Sequence, residues 1–178
     1  MEKLQSSVEW WNDVRGSAQK FSDWLQKQYH GESTAANRIR EMASQTKVEA
    51  HKFVLEEIAS QEDFHAKLVK DLLETYEMAP LPAEEFGTSR YWSTVEPVQE
   101  DFSTMCAIAG HAEAMRLERI RAIVNDFDTP TDVYAVFCII LLDEVWHEQS
   151  FKAMAGEEAL AKVKPCHDKA RRLLGLEV

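Results

Sequence analysis

Two short motifs carry residue types from which a metal site is built: Glu62-Asp63-Phe64-His65 and Glu144-Val145-Trp146-His147. A Glu and a His three residues apart share one face of a helix, so each pair sets a carboxylate beside an imidazole. Such donors suit iron or manganese, whereas calcium would not recruit the histidines. The motif alone is weak. With 21 Glu and 6 His in 178 residues, about 0.7 occurrences arise by chance. Its surroundings carry more weight. LLDEVWHEQSF follows VYAVFCII in a strongly apolar stretch, and ionisable groups there cost several kcal/mol unless paired or bound to metal. Each motif is also preceded by a lone glutamate on the segment before it: Glu32 stands 62 − 32 = 30 residues ahead of Glu62, and Glu113 stands 144 − 113 = 31 ahead of Glu144.

Four long helical segments must position these residues. Periodicity and punctuation put them over about 17–43, 46–78, from Ser93 or Pro97 to Asn125, and from Pro130 to Ala155. Thr129 is the expected N-cap of the fourth segment, Pro130 its first residue and Gly156 its stop. Each segment has one stripe that is apolar at both ends and acidic near the middle: Leu25, Glu32, Ile39; Leu55, Glu62, His65, Leu72; Cys106, Glu113, Ile120; Phe137, Glu144, His147, Phe151. Four interruptions at matching depth look like one site. The chain is a helix pair with Glu…Glu-x-x-His, used twice. Two like-oriented pairs need a connection that crosses the bundle, roughly 50 Å of helix at 1.5 Å per residue. The stretch at about 79–93, with two prolines and a glycine, reaches roughly 50–60 Å when extended. An N-terminal segment carries Trp10 and Trp11 and ends near Gly16. A short C-terminal helix over about 157–174, interrupted by Pro165, is expected to pack outside the bundle.

This arrangement resembles the ferritin-like di-iron carboxylate superfamily, in which two helices give one Glu each and two others give Glu-x-x-His. The resemblance covers residues 17–155, and all six ligand positions are filled. It implies an all-α, ferritin-like four-helix bundle with a long crossover, one domain over 1–178, and two iron ions (or manganese) per chain. The ligands would be Glu32, Glu62, His65, Glu113, Glu144 and His147, with Glu62 and Glu144 bridging and Glu32 and Glu113 terminal. Four carboxylates alone would repel one another in a core; two divalent ions supply +4 against −4. In parts of the family an Asp before the second Glu hydrogen-bonds a ligand histidine. Asp143 would then support His65 and Gln61 would support His147; the alternative is a solvent-facing Asp143. Tyr29, one turn before Glu32, and Trp146, beside His147, are packing residues or electron relays. His51 reads as a satisfied histidine, and Cys106 and Cys138 as small apolar fillers.

Arg116 departs from the family pattern. Rubrerythrin-type proteins carry a second carboxylate three residues after the third-helix Glu; here the run is Glu113-Ala-Met-Arg116. That departure, with the lack of any CxxC for a rubredoxin domain, weakens a peroxidase reading and leaves the metal ligands untouched. Arg116 is left to pair with a terminal carboxylate or an anionic substrate, or to reach the bundle end.

Composition bounds the rest. Gly (6) and Pro (5) are scarce and β-branched residues do not alternate, which favours helix. Net charge −11 argues against nucleic-acid and anionic-membrane partners. Three dispersed cysteines give neither a disulfide framework nor a cysteine metal site, and with no signal-like start a cytoplasmic protein is expected. The implied function is redox chemistry toward O2 or peroxide with an unidentified electron donor. The alternatives are a small di-iron oxygenase or oxidase acting on an organic substrate, and a metal-storage or non-catalytic helical binding protein. The Trp10/Trp11 segment is the expected homodimer interface.

Overall fold

The computed structural model describes residues 4–87 and 89–178. Among the described residues it is all-helical, and the only strand-like pairing is a single parallel bridge between Gln5 and Leu176. The chain divides into two compact units: Asp13–Gly87 with Phe127–Ile140, and Met1–Asn12 with Thr88–Asp126 and Leu141–Val178. No helix is long and apolar enough to cross a membrane among the described residues.

The first unit is built on a hairpin of two long helices. Helix α1 (Ser7–Arg15) leads into α2 (Ala18–Gln45), whose N-cap Ser17 accepts a hydrogen bond from the Lys20 amide. A three-residue link leads to α3 (Glu49–Thr75), and α2 and α3 pack along each other. Leu25, Glu32, Ala36, Ile39 and Met42 form the buried stripe of α2. Leu55, Ile58, Glu62, His65, Val69 and Leu72 form that of α3, as the periodicity predicts. The third helix expectation of 46–78 is too long at both ends. Helix α3 stops at Thr75 because Glu77 takes a left-handed conformation (φ 55), letting the Met78 amide reach the Leu73 carbonyl at 2.8 Å and the Glu77 amide the Glu74 carbonyl at 3.0 Å. Aromatic contacts close this end: Phe21 meets Tyr76 edge-on at 5.0 Å and Trp24 lies 5.3 Å from Phe137. The Tyr76 hydroxyl donates to Asp132 at 3.0 Å, and burial followed by that contact pushes its pKa up to about 12. Gln26, buried, donates to the Ala79 carbonyl at 2.8 Å and accepts from the Leu81 amide at 3.0 Å, anchoring the start of the connection.

The connection is longer and more folded than expected. It holds a 3₁₀ turn (Ala83–Phe86), α4 (Arg90–Val95) and a second 3₁₀ turn (Glu96–Val98). Helix α5 (Phe102–Val124) therefore begins later than Ser93 or Pro97. Its start is fixed by a capping box: the Thr104 amide donates to Asp101 Oδ1 at 2.8 Å, and the Asp101 amide donates to Thr104 Oγ1 at 2.9 Å.

Helix α6 (Thr131–Leu173) begins one residue beyond Pro130 and is interrupted at Gly156, where φ is 76. The segment after Gly156 is the expected C-terminal helix, and in the second unit it packs on α4 and α5. Cys166 Sγ reaches the Thr94 carbonyl at 3.1 Å, His111 Nε2 donates to the Leu160 carbonyl at 3.0 Å, and Arg171 makes a two-pronged pair with Glu118 at 2.9 and 2.7 Å. Under this cover α5 is buried all round from Thr104 to Gly110. Of the two N-terminal tryptophans, Trp10 is half-buried and Trp11 buried. Trp11 is 1% exposed and the Arg119 guanidinium lies 4.9 Å over the Trp10 ring.

Candidate metal centre

The six residues singled out as ligands are all buried. Glu32, Glu62, His65, Glu144 and His147 are 0% exposed and Glu113 is 9% exposed. Carboxylates that far from water are rare without a cation or a dense hydrogen-bond network around them.

Within the first unit, one ligand atom each from Glu32, Glu62 and His65 lies within 4.8 Å of the others. The geometry follows from the hairpin. Glu32 sits mid-way along α2 and Glu62 mid-way along α3, and two antiparallel helices joined by a short link bring their midpoints level. His65 follows Glu62 by three residues on the same face, its Nδ1 4.0 Å from Glu62 Oε2. Leu55, Ile58 and Val69, all buried, flank the pair along α3.

Within the second unit, Glu113, Glu144 and His147 likewise bring one ligand atom each to within 4.8 Å. Here His147 Nδ1 is 3.4 Å from Glu144 Oε2. Close approach of α5 and α6 is permitted by Gly110, one turn before Glu113. A Cβ there would stand 3.0 Å from Lys152 Cγ, 3.3 Å from the Lys152 amide nitrogen and 3.4 Å from Phe151 Cβ. The Trp146 ring meets the His147 imidazole edge-on at 5.8 Å and so packs against it. Donors around one transition-metal ion at about 2.0–2.2 Å lie up to roughly 4 Å apart, so each triad is within a small adjustment of enclosing an ion. Two carboxylates and one imidazole form a donor set that iron and manganese accept.

Arg116 is placed by the structure at Glu144: its Nε lies 3.2 Å from Oε1, the arginine side chain 21% exposed and the glutamate wholly buried. From sequence the carboxylate expected to pair with Arg116 was a terminal one; the partner here is instead Glu144, the Glu-x-x-His glutamate of its own unit. Asp143 and Gln61 are half-buried, as is Tyr29, whose carbonyl accepts from Ser33 Oγ at 2.9 Å. His51 is on α3, eleven residues and about 16 Å of helix before Glu62. Cys106 is fully buried, and desolvation pushes its thiol up to about 12, the behaviour of an apolar filler.

Sequence reasoning missed one polar cluster beside this triad. The Tyr91 hydroxyl, 3% exposed, hydrogen-bonds His167 Nδ1 at 2.8 Å, and His167 stacks on His111 with centroids 4.8 Å apart. Burial first, then the Glu113 carboxylate, pushes the Tyr91 hydroxyl far above its usual range. Burial, then His111, pulls His167 down to about 4, so at neutral pH it is an uncharged acceptor for the tyrosine proton. The only sequence signal was a polar residue in each of three otherwise packed helices. No protein-family model, curated protein or solved structure matches this chain.

Proposed function

We propose that this protein is a ferritin-like, dinuclear non-haem metal protein in which α2, α3, α5 and α6 are the four bundle helices and iron is the metal. Glu32, Glu62 and His65, with Glu113, Glu144 and His147, would hold the two ions. One observation carries the reading: the same buried Glu, Glu-x-x-His triad occurs in each unit. Two divalent ions would balance the four carboxylates, giving the sequence a reason to place four acids in apolar stripes.

Iron held there would supply electrons to O2 or peroxide. The chain's own residues would do the rest. The four glutamates and two imidazoles would hold the ions. Trp146 keeps the His147 ring in place from one edge. Buried Phe137, Ile140 and Phe151 along α6 keep bulk water from the stripe that carries Glu144. His167 Nδ1 holds the Tyr91 proton close to Glu113.

The test is anaerobic loading of the purified full chain with Fe(II), followed by O2 or peroxide. Two irons per chain and a near-ultraviolet charge-transfer band after oxidation are expected. Fewer than two tightly bound ions, or no oxidation faster than that of free Fe(II), would sink the reading. Glu62→Ala with Glu144→Ala should abolish both signals.

A further inference from the structure

Helix α6 has two faces, and both are apolar. Val133, Phe137, Ile140 and Phe151 are buried along one of them. The outer face of a surface helix is ordinarily charged, as that of α3 is, where Glu56, Glu57, Lys67 and Lys70 are exposed. On α6 no exposed residue between Thr131 and Gln149 carries a charge. Instead Tyr134 is 45% exposed, Ile139 43%, Leu142 75% and Trp146 36%. A contiguous apolar face on so highly charged a chain marks a surface that meets another protein.

Spacing, charge and area point to the same partner. Ala135, Ile139, Leu142 and Trp146 follow one another by four, three and four residues, the step of a seam between two helices. That seam is self-complementary when two copies run antiparallel. Ile139 of one copy then faces Leu142 of the other, and the small Ala135 faces the large Trp146. With a net charge of −11, two copies repel one another except across a face that holds no charge. At about 200 Å² for a large side chain, the exposed fractions give roughly 400 Å² per copy. With Ala135, Cys138 and the flanks, the pair would bury about 1,000 Å², the lower end of specific interfaces.

We propose that the outer face of α6 is a pairing surface through which two copies of this chain associate antiparallel, about a two-fold axis between Ile140 and Leu141. It is a different surface from the Trp10/Trp11 segment and does not depend on the di-metal reading. Its small area makes the dimer reversible, with a dissociation constant of about 1–50 µM.

The experiment is analytical ultracentrifugation of the full chain in reductant, from about 1 to 200 µM. The mass is expected to rise with concentration from 20.4 kDa toward twice that value. Leu142→Glu and Ile139→Lys each change an exposed residue, so circular dichroism should show both folded. Each should weaken self-association a hundredfold or more, because two unpaired charges would be buried at the seam. An equimolar mixture of the two variants should pair again, at least tenfold more tightly than either alone, since the antiparallel seam sets Glu against Lys. Parallel pairing would not bring those residues together. Phe127→Glu, at a fully exposed residue just before α6, should pair like the wild type. A wild type monomeric at every concentration would overturn the proposal and leave the face to a different protein. So would a Leu142→Glu chain that pairs as tightly as the wild type, or a mixture that stays apart.

Discussion

The two units solve one problem, a buried pair of acids beside an imidazole, in different ways. In the first, Glu32 and Glu62 come from a helical hairpin, with Ala35 a turn beyond Glu32 and open space around Gly31. In the second, a fixed cation touches Glu144, a glycine forces α5 against α6, and a further helix covers the outside of α5. Matching ligand patterns therefore do not make matching sites.

The largest test separates the triads by their histidines. His65→Ala should weaken one metal-binding step and His147→Ala the other, each by about a hundredfold or more in affinity, read by titration with Co(II) and its visible absorption. Loss of both steps from either variant would mean the triads act as one unit.

Next in size is Glu144→Gln in the metal-free protein. Removing the charge takes away the ion pair with Arg116, and because Arg116 is partly in solvent the expected loss is about 1–3 kcal/mol by denaturant unfolding. A double-mutant cycle with Arg116→Gln should return a coupling of about 1 kcal/mol or more. Additivity would show the contact to be unimportant.

The two glycines give a structural contrast of opposite sign. Gly110→Ala must displace Lys152 or open the α5–α6 contact, costing about 1–3 kcal/mol. In Gly31→Ala the added methyl meets nothing within 4 Å, so better helix propensity should stabilise by about 0.5–1 kcal/mol. Chemical denaturation of both variants decides it.

The last effect appears only in acid. Burial holds His167 at about 4 against an ordinary 6.5. Between those values the unfolded chain binds a proton that the folded chain refuses, so stability is fully present above pH 6.5 and falls as pH drops toward 4, by about 1 kcal/mol per pH unit at most. His167→Gln keeps an acceptor for Tyr91 and should flatten that slope. An unchanged slope would put the acid sensitivity elsewhere.

The helices and their buried stripes were legible because burial follows the 3.6-residue period: Leu55, Ile58, Glu62, His65, Val69 and Leu72 are all buried as spaced. The burial of the six candidate ligands was legible for the same reason, each being a polar residue in an apolar stripe. The start of α5 was misjudged because Asp101 and Thr104 cap it only through reciprocal hydrogen bonds, which outweigh the helix-compatible residues from Ser93 onward. The stop of α3 was hidden because Glu77 occupies a left-handed position usually held by glycine. Arg116's partner and the Tyr91–His167 pair were not legible at all. Both depend on contacts between segments far apart in sequence, which periodicity within one helix does not encode.

The bridge between Gln5 and Leu176 has a kinetic consequence. It joins positions separated by almost the whole chain, with the Gln5 amide donating to the Gly175 carbonyl at 2.8 Å. Closing so long a loop costs entropy that nothing repays until the intervening helices have formed, whereas the α2–α3 hairpin needs only a three-residue turn. The first triad can thus assemble early, from local contacts. The Gln5–Leu176 pairing, by contrast, waits for the helices between them.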